Sequence, residues 1–141
     1  VLVALVILSV GLLGIAALLL SGLQGSRIAL ERTQAVTLAA DIAERIRANR
    51  SAGNAYDTLD GTLSPALAAS CEQPGSTCDA ATMASNDLKR WQDAIAAALP
   101  GATGTVVVDG ITATLNRYAI TVSWAQSGDA QPVTYTLTVD I

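Results

Sequence analysis

From Val1 to Ser26 the sequence reads VLVALVILSVGLLGIAALLLSGLQGS, and no charged residue occurs before Arg27. An α-helix crosses a hydrocarbon core of about 30 Å with roughly 20 mostly apolar residues, and Val1–Leu20 meets that requirement with only Ser9, Gly11 and Gly14 as interruptions. Secretory signal peptides are also apolar, but their hydrophobic region is about 7–15 residues long and ends at a small-residue cleavage site. A buried core helix this long and this uniformly apolar is more than a small chain can enclose. The run therefore predicts a membrane-spanning helix, with Val1, Leu5, Leu8, Leu12, Ile15 and Leu19 on its apolar surface. Glycine costs a helix about 1 kcal/mol relative to alanine in water, and Gly11, Gly14, Gly22 and Gly25 all fall here. Ser21-x-x-x-Gly25 and Gly22-x-x-x-Ser26 suit close helix packing through small residues, while Gly11 and Gly14 are candidate points of local unwinding.

Beyond Ser26 the helical pattern continues and becomes amphipathic. Ile28, Ala35, Leu38, Ala39, Ile42 and Ile46 recur at helical spacing, with Glu31, Arg32, Asp41, Glu44 and Arg45 between them. One helix is expected to run to about Arg50, with Gly53 ending it. At 1.5 Å per residue it would be on the order of 75 Å long, so its second half must stand in water or pack on something. Residues 1–26 are thus the apolar half of this helix, 27–50 its amphipathic half, and 51–141 a folded head.

The head is acidic. Residues 51–141 carry nine acids against Lys89, Arg90 and Arg117, a net charge of −6, which disfavours direct binding of nucleic-acid phosphates. A long connection fills Ser51–Thr82, broken by Asn54, Gly61, Pro65, Pro74 and Gly75, with one short helical turn expected at Ser64–Ala69 and with Tyr56 and Leu59 tucked against the helix. Cys71 and Cys78 flank a Pro-Gly turn signal in this connection; a short disulfide loop is expected, in an oxidising compartment, against the alternative of two free thiols. Ser85-Asn86-Asp87 signals a helix over 86–99, with Leu88, Trp91, Ile95 and Leu99 on one face. Antiparallel strands are expected over 104–141. Thr105–Val108 and Ile111–Leu115 flank an Asp109-Gly110 hairpin signal, and Gln126–Pro132 turns between two alternating segments. The expected head core is Ile42, Ile46, Trp91, Ile95, Tyr118, Ile120, Val122, Trp124, Tyr135 and Leu137.

Catalytic chemistry finds no foothold in this pattern. The chain has no His, its two Cys cannot complete a zinc site, and no dense alternating run of oxygen ligands suits calcium. Asp57 with Asp60, and Asp87 with Asp93, read as solvated surface. No enzyme activity, metal or cofactor is expected.

The apolar run, the helix end AADIAERIRANRSAGNAY (Ala39–Tyr56), Trp91 leading into AALPGATGTV (Ala97–Val106), and ITVSW (Ile120–Trp124) together resemble a type IV pilin, and within that superfamily the PilV-type minor pilins. The resemblance spans nearly the whole chain. It implies an α+β fold in which the apolar half of a long N-terminal helix protrudes and the C-terminal half packs on an antiparallel sheet. It also implies a subunit that waits in the bacterial inner membrane with its head in the periplasm. From there it enters a fibre in which the same apolar face, Val1 to Leu19, lies in the core. Minor pilins of this kind prime assembly with other minor pilins, the major pilin and the inner-membrane assembly platform, and are placed near the tip of pili used in twitching motility and cell adhesion. Type II secretion minor pseudopilins share this plan, and a membrane-tethered periplasmic binding or adhesion domain is the rival of another class. Pilins are cut by a prepilin peptidase after a glycine and carry an acidic residue ahead of the apolar run. Those residues are absent from a sequence that starts at Val1, so a preceding natural segment is expected.

Overall fold

The computed structural model describes residues 1–59, 71, 73–110, 115–126 and 128–141. Its elements run in the order α1 (Leu2–Ala48), a 3-10 helix (Arg50–Tyr56), α2 (Ala80–Ala98), β1 (Thr103–Gly110), β2 (Asn116–Trp124) and β3 (Val133–Asp140). The chain divides into two compact units, Val1–Thr33 and Gln34–Ile141.

The first unit is helical from Leu2 onward, and α1 passes through Gly11 and Gly14 without a break. Its polar end is stabilised locally by an ion pair from Arg27 to Glu31 at 3.1 Å, four residues apart on one helix face.

The second unit is a helix-on-sheet sandwich. The remaining turns of α1 present Ala35, Ala39, Ile42, Ala43 and Ile46 to a core that α2 and the sheet complete. Small residues on this stripe permit close approach, and the two isoleucines supply most of its apolar bulk. Arg45 and Arg47 lie in the last turn of α1, where positive charge suits the helix dipole. Gly53 then reverses the chain at φ +51, a conformation that glycine adopts without a Cβ penalty. Tyr56 follows and is fully buried, whereas Leu59 is 68% exposed and does not tuck inward.

Helix α2 begins at Ala80 rather than Asn86. The Oδ1 of Asp79 accepts the Thr82 N–H at 2.7 Å, so Asp79 is the cap and Ser85-Asn86-Asp87 lies inside the helix. Buried Ala84, Leu88, Trp91 and Ile95 form its inner stripe, and the Trp91 Nε1–H donates to the Leu38 carbonyl at 2.8 Å, tying α2 to α1. The expected turn at Ser64–Ala69 lies outside the described residues.

The sheet is antiparallel in the order β1-β2-β3. Asp109 and Gly110 are not a two-residue turn; they are the last residues of β1, paired with Arg117 and Asn116 of β2. The expected strand at Ile111–Leu115 lies largely in residues 111–114, outside the described residues. Tyr118, Ile120, Val122 and Trp124 of β2 are buried and line the core, while Tyr135 and Leu137 of β3 pack against its margin half-buried. On β1, Gly104 sits under Trp91 and Ile95, where a Cβ would come within 2.6 Å of the Trp91 ring and 2.5 Å of the Ile95 Cδ1. This is the expected α+β architecture, with the C-terminal half of a long helix packed on an antiparallel sheet.

Candidate functional site

Two features offer themselves as functional. The first is the apolar surface of α1 in the N-terminal unit. Val1, Leu5, Leu8, Leu12, Ile15 and Leu19 are all exposed, as are Val3, Val10, Leu18 and Leu23. An 18-residue window of this helix reaches a mean hydropathy of 2.9 with none of it buried, long and apolar enough to cross a membrane. A surface of that extent is not stable in water, so its ordinary surroundings are lipid or other apolar helices. A Cβ placed on Gly11, Gly14, Gly22 or Gly25 would touch nothing within 4 Å, so these glycines leave open notches on that surface rather than filling a packing need within the chain.

The second feature is a polar cluster where α1, the 3-10 helix and α2 meet, within the C-terminal unit. The Tyr56 hydroxyl donates to Asp87 Oδ2 at 2.8 Å, and the Arg45 Nη1–H donates to Asp87 Oδ1 at 3.2 Å. Arg45 is held in turn by Asp41, at 2.9 Å from its Nε. Asn49 donates to the Tyr56 oxygen at 3.2 Å and to the Ala80 carbonyl at 2.8 Å, so one amide clamps the end of α1 to the start of α2. Asp87 is buried, not solvated surface. Its position four residues before Trp91, on the same face of α2, is the sequence signal that points it inward. Asp93 is exposed and pairs with Lys89; Asp57 caps the sheet side by accepting the Val108 N–H at 3.2 Å, and Asp60 lies outside the described residues.

Burial pushes the Tyr56 hydroxyl up from the usual tyrosine range, and its bond to Asp87 adds to the shift. An unfolded chain releases this proton near pH 10, and the folded chain holds it to higher pH. The stability Tyr56 contributes is therefore complete below about pH 10 and falls as pH rises past that value. Tyr56→Phe is expected to cost about 1 kcal/mol at neutral pH and to flatten the loss of stability between about pH 9.5 and 11. Urea melts of the full chain in detergent at those pH values check this, and an unchanged alkaline slope would contradict it.

Next to this cluster, Cys71 and Cys78 form a disulfide with Cα atoms 5.8 Å apart, and the Ser76 hydroxyl donates to the Cys71 carbonyl at 2.8 Å. Cys78 and Asp79 join Arg45, Asn49 and Asp87 around a shallow cleft of about 460 Å³. Arg45 and Asp87 are already paired with each other and Asp79 accepts the Thr82 N–H, and no group of three or more His, Cys, Asp or Glu side chains suited to a metal occurs among the described residues. The cleft is a seam of the fold. Closing a loop this short constrains the unfolded chain by roughly 2–3 kcal/mol, so Cys71→Ser with Cys78→Ser is expected to lower the melting temperature of the full chain in micelles by about 10 °C. A melting temperature unaffected by the double substitution would show that the loop needs no staple.

The expected core residues come together around these features: Ile42, Ile46, Trp91, Ile95, Tyr118, Ile120, Val122 and Trp124 are buried in one cluster, with Tyr135 and Leu137 at its edge. A family model described as type IV pilin Tt1218, Tt1218-like, matches residues 17–89. No curated protein and no solved structure matches the chain. The matched span holds the end of the apolar run, the rest of α1, the cysteine pair and the Arg45, Tyr56 and Asp87 cluster. Covering just over half of the sequence, it makes this chain a member of the Tt1218-like type IV pilin family.

Proposed function

We propose that this pilin is a minor pilin, a structural and priming subunit that enters a type IV pilus and sits near its tip. The observation that carries the reading is the exposed apolar half of α1 in a member of a pilin family, since lipid before assembly and a bundle of like helices after it would bury the same surface. The resemblance of Ala39–Tyr56 and Ala97–Val106 to PilV-type sequences supports the minor class. The disulfide favours an oxidising compartment, hence a periplasmic head on a single-pass inner-membrane anchor. Its partners on this reading are other minor pilins, the major pilin and the assembly platform. It is read as having no catalytic role.

Shearing intact cells and probing the fibres tests the proposal. The protein is expected in the sheared fraction at a small fraction of the major subunit, and its deletion is expected to lower pilus number. Complete absence from sheared pili together with an unchanged pilus number would overturn the assembly role in favour of a membrane-tethered binding domain. Loss of protein secretion with pili intact would instead assign the chain to a secretion pseudopilus.

A further inference from the structure

Strand β3 closes one edge of the sheet, and only one side of its backbone is used. The Asn116 and Ile141 backbones exchange both of their hydrogen bonds, at 3.0 and 2.9 Å, which sets the alternation along the β2–β3 ladder. Val133, Tyr135, Leu137 and Val139 therefore bond to β2, while the N–H and C=O groups of Thr134, Thr136, Thr138 and Asp140 point away from the sheet. All four of these residues are exposed, and no backbone partner for their outward groups occurs among the described residues. The opposite edge is different. The Thr58 N–H donates to the Val106 carbonyl at 2.8 Å, the Thr58 hydroxyl accepts the Val106 N–H at 3.0 Å, and Asp57 accepts from Val108, so β1 is covered by the chain itself. Sheets commonly shield an edge with lysine, proline or a bulge, and β3 carries none of these; its single charge, Asp140, is paired with Arg117 at 2.8 Å.

The open groups define what can occupy this edge. They alternate at the repeat of an extended chain, and another extended peptide backbone returns donor and acceptor at that same repeat. Side chains add a preference for its sequence. Val133, Tyr135, Leu137 and Val139 are half-buried against the core, so an incoming strand gains by placing apolar residues on that face. On the other face Thr134, Thr136 and Thr138 offer hydroxyls, as Thr121 and Thr136 already share one bond at 3.0 Å. A second copy of this chain does not fit. Its β1 edge is covered, which closes head-to-tail addition of β1 to β3. Antiparallel pairing of β3 with β3 needs a twofold axis normal to the sheet, and that axis reverses α1. Two copies of a pilin chain sharing one membrane or one fibre cannot point their helices in opposite directions.

We propose that the β3 edge is a strand-addition site for a different protein. Its occupant is an extended segment that runs antiparallel to β3, exchanges hydrogen bonds with Thr134, Thr136 and Thr138, and carries apolar side chains toward the core and small polar ones on the threonine face. This site rests on the strand itself and not on the minor-pilin reading.

The test uses a short synthetic peptide of alternating valine and threonine, with a lysine at each end, added to the isotopically labelled full chain in detergent micelles. Opposed residues of an antiparallel pair share a face, so the threonine amides of the peptide meet β3 and its valine amides point outward. N-methylation of the valines leaves the bonding edge intact, and N-methylation of the threonines removes it. The valine-methylated peptide is expected to slow hydrogen exchange at the Thr134, Thr136 and Thr138 amides by at least roughly tenfold, and the threonine-methylated peptide to leave them unchanged. Thr136→Pro removes an outward N–H and no bond to β2, a change an edge strand tolerates, and should weaken binding of the valine-methylated peptide by at least roughly tenfold. Thr136→Val loses the same side-chain bond to Thr121 but keeps the N–H, and should bind within about threefold of the natural chain. Absence of protection at those three amides, or equal binding of the two methylated peptides, would overturn the proposal whether or not Thr136→Pro folds. Exchange that is already slow without peptide, and slower still at higher protein concentration, would assign the edge to a second copy and overturn it as well.

Discussion

Trp91→Ala is expected to lower the stability of the C-terminal unit by roughly 3–5 kcal/mol, the largest single-residue effect in the chain. The indole is 1% exposed and packs between α1, α2 and β1, and its Nε1–H is the bond that fastens α2 to the Leu38 carbonyl of α1. Removing it opens a cavity against Gly104, whose missing Cβ is the room the ring occupies. That complementarity yields a sharper test than the single variant. Gly104→Val in the natural chain drives methyl groups into the ring edge and should cost about 1–3 kcal/mol or more through overpacking, because an indole held on several sides cannot step aside as the Ile95 terminus can. In the Trp91→Ala background the same valine fills part of the void, so the double variant should be more stable than the two single losses predict. Chemical denaturation of the four proteins in detergent, followed by far-ultraviolet circular dichroism, measures this coupling. Losses that add within about 0.5 kcal/mol would mean that Gly104 and Trp91 do not share one packing site.

Of this pair, one member is legible in the sequence and the other is not. The period of Leu88, Trp91 and Ile95 is enough to turn Trp91 inward, because a helix face repeats every three or four residues whatever it packs on. The glycine opposite carries no such signal. Its need arises from a tertiary approach between β1 and α2 that local pattern cannot encode. The start of α2 and the Asp109-Gly110 pair fail for a related reason. Ser85-Asn86-Asp87 and Asp79 both offer a capping side chain, and local chemistry does not choose between them; buried Ala84, Asn86, Asp87 and Leu88 carry the inner stripe through the alternative cap toward Asp79, and that burial decides. Asp109-Gly110 suits a tight turn in isolation, but pairing with Arg117 and Asn116 adds two more rungs to the β1–β2 ladder.

Function divides in the same manner. The apolar surface of α1 was legible from the first twenty residues, since a charge-free run has few possible solvents and its exposure follows from length alone. The cluster around Asp87 was not, because its members are separated in sequence and each has an ordinary role on its own. Tyr56 reads as a core aromatic, Arg45 as half of an i,i+4 pair with Asp41, and Asn49 as a helix end. Only the crossing of α1 and α2 makes them one hydrogen-bonded unit.

Asp87→Ala is the second large effect, expected to cost roughly 2–4 kcal/mol. The carboxylate is the single acceptor shared by Tyr56 and Arg45, and its side chain is 10% exposed against 32% for that of Arg45. Breaking a buried ion pair usually costs about 3–5 kcal/mol. The solvent that reaches Arg45, and the Asp41 that remains beside it, reduce the electrostatic share, while the buried Tyr56 hydroxyl loses its 2.8 Å acceptor and keeps only the Arg45 carbonyl at 3.5 Å. The loss therefore falls mainly on tyrosine, and this can be separated experimentally. In the Asp87→Ala background, Tyr56→Phe removes a hydroxyl left with only the Arg45 carbonyl at 3.5 Å to donate to and should cost little, whereas Arg45→Ala should remain close to neutral because that side chain can turn to water. In the natural chain both substitutions should destabilise, Tyr56→Phe by about 1 kcal/mol and Arg45→Ala by less, since the Arg45–Asp87 pair is partly screened by solvent and Asp87 keeps the Tyr56 hydroxyl as a donor. A cycle in which Arg45, not Tyr56, carries most of the coupling to Asp87 would show that charge pairing, and not satisfaction of the buried hydroxyl, holds the end of α1 against α2.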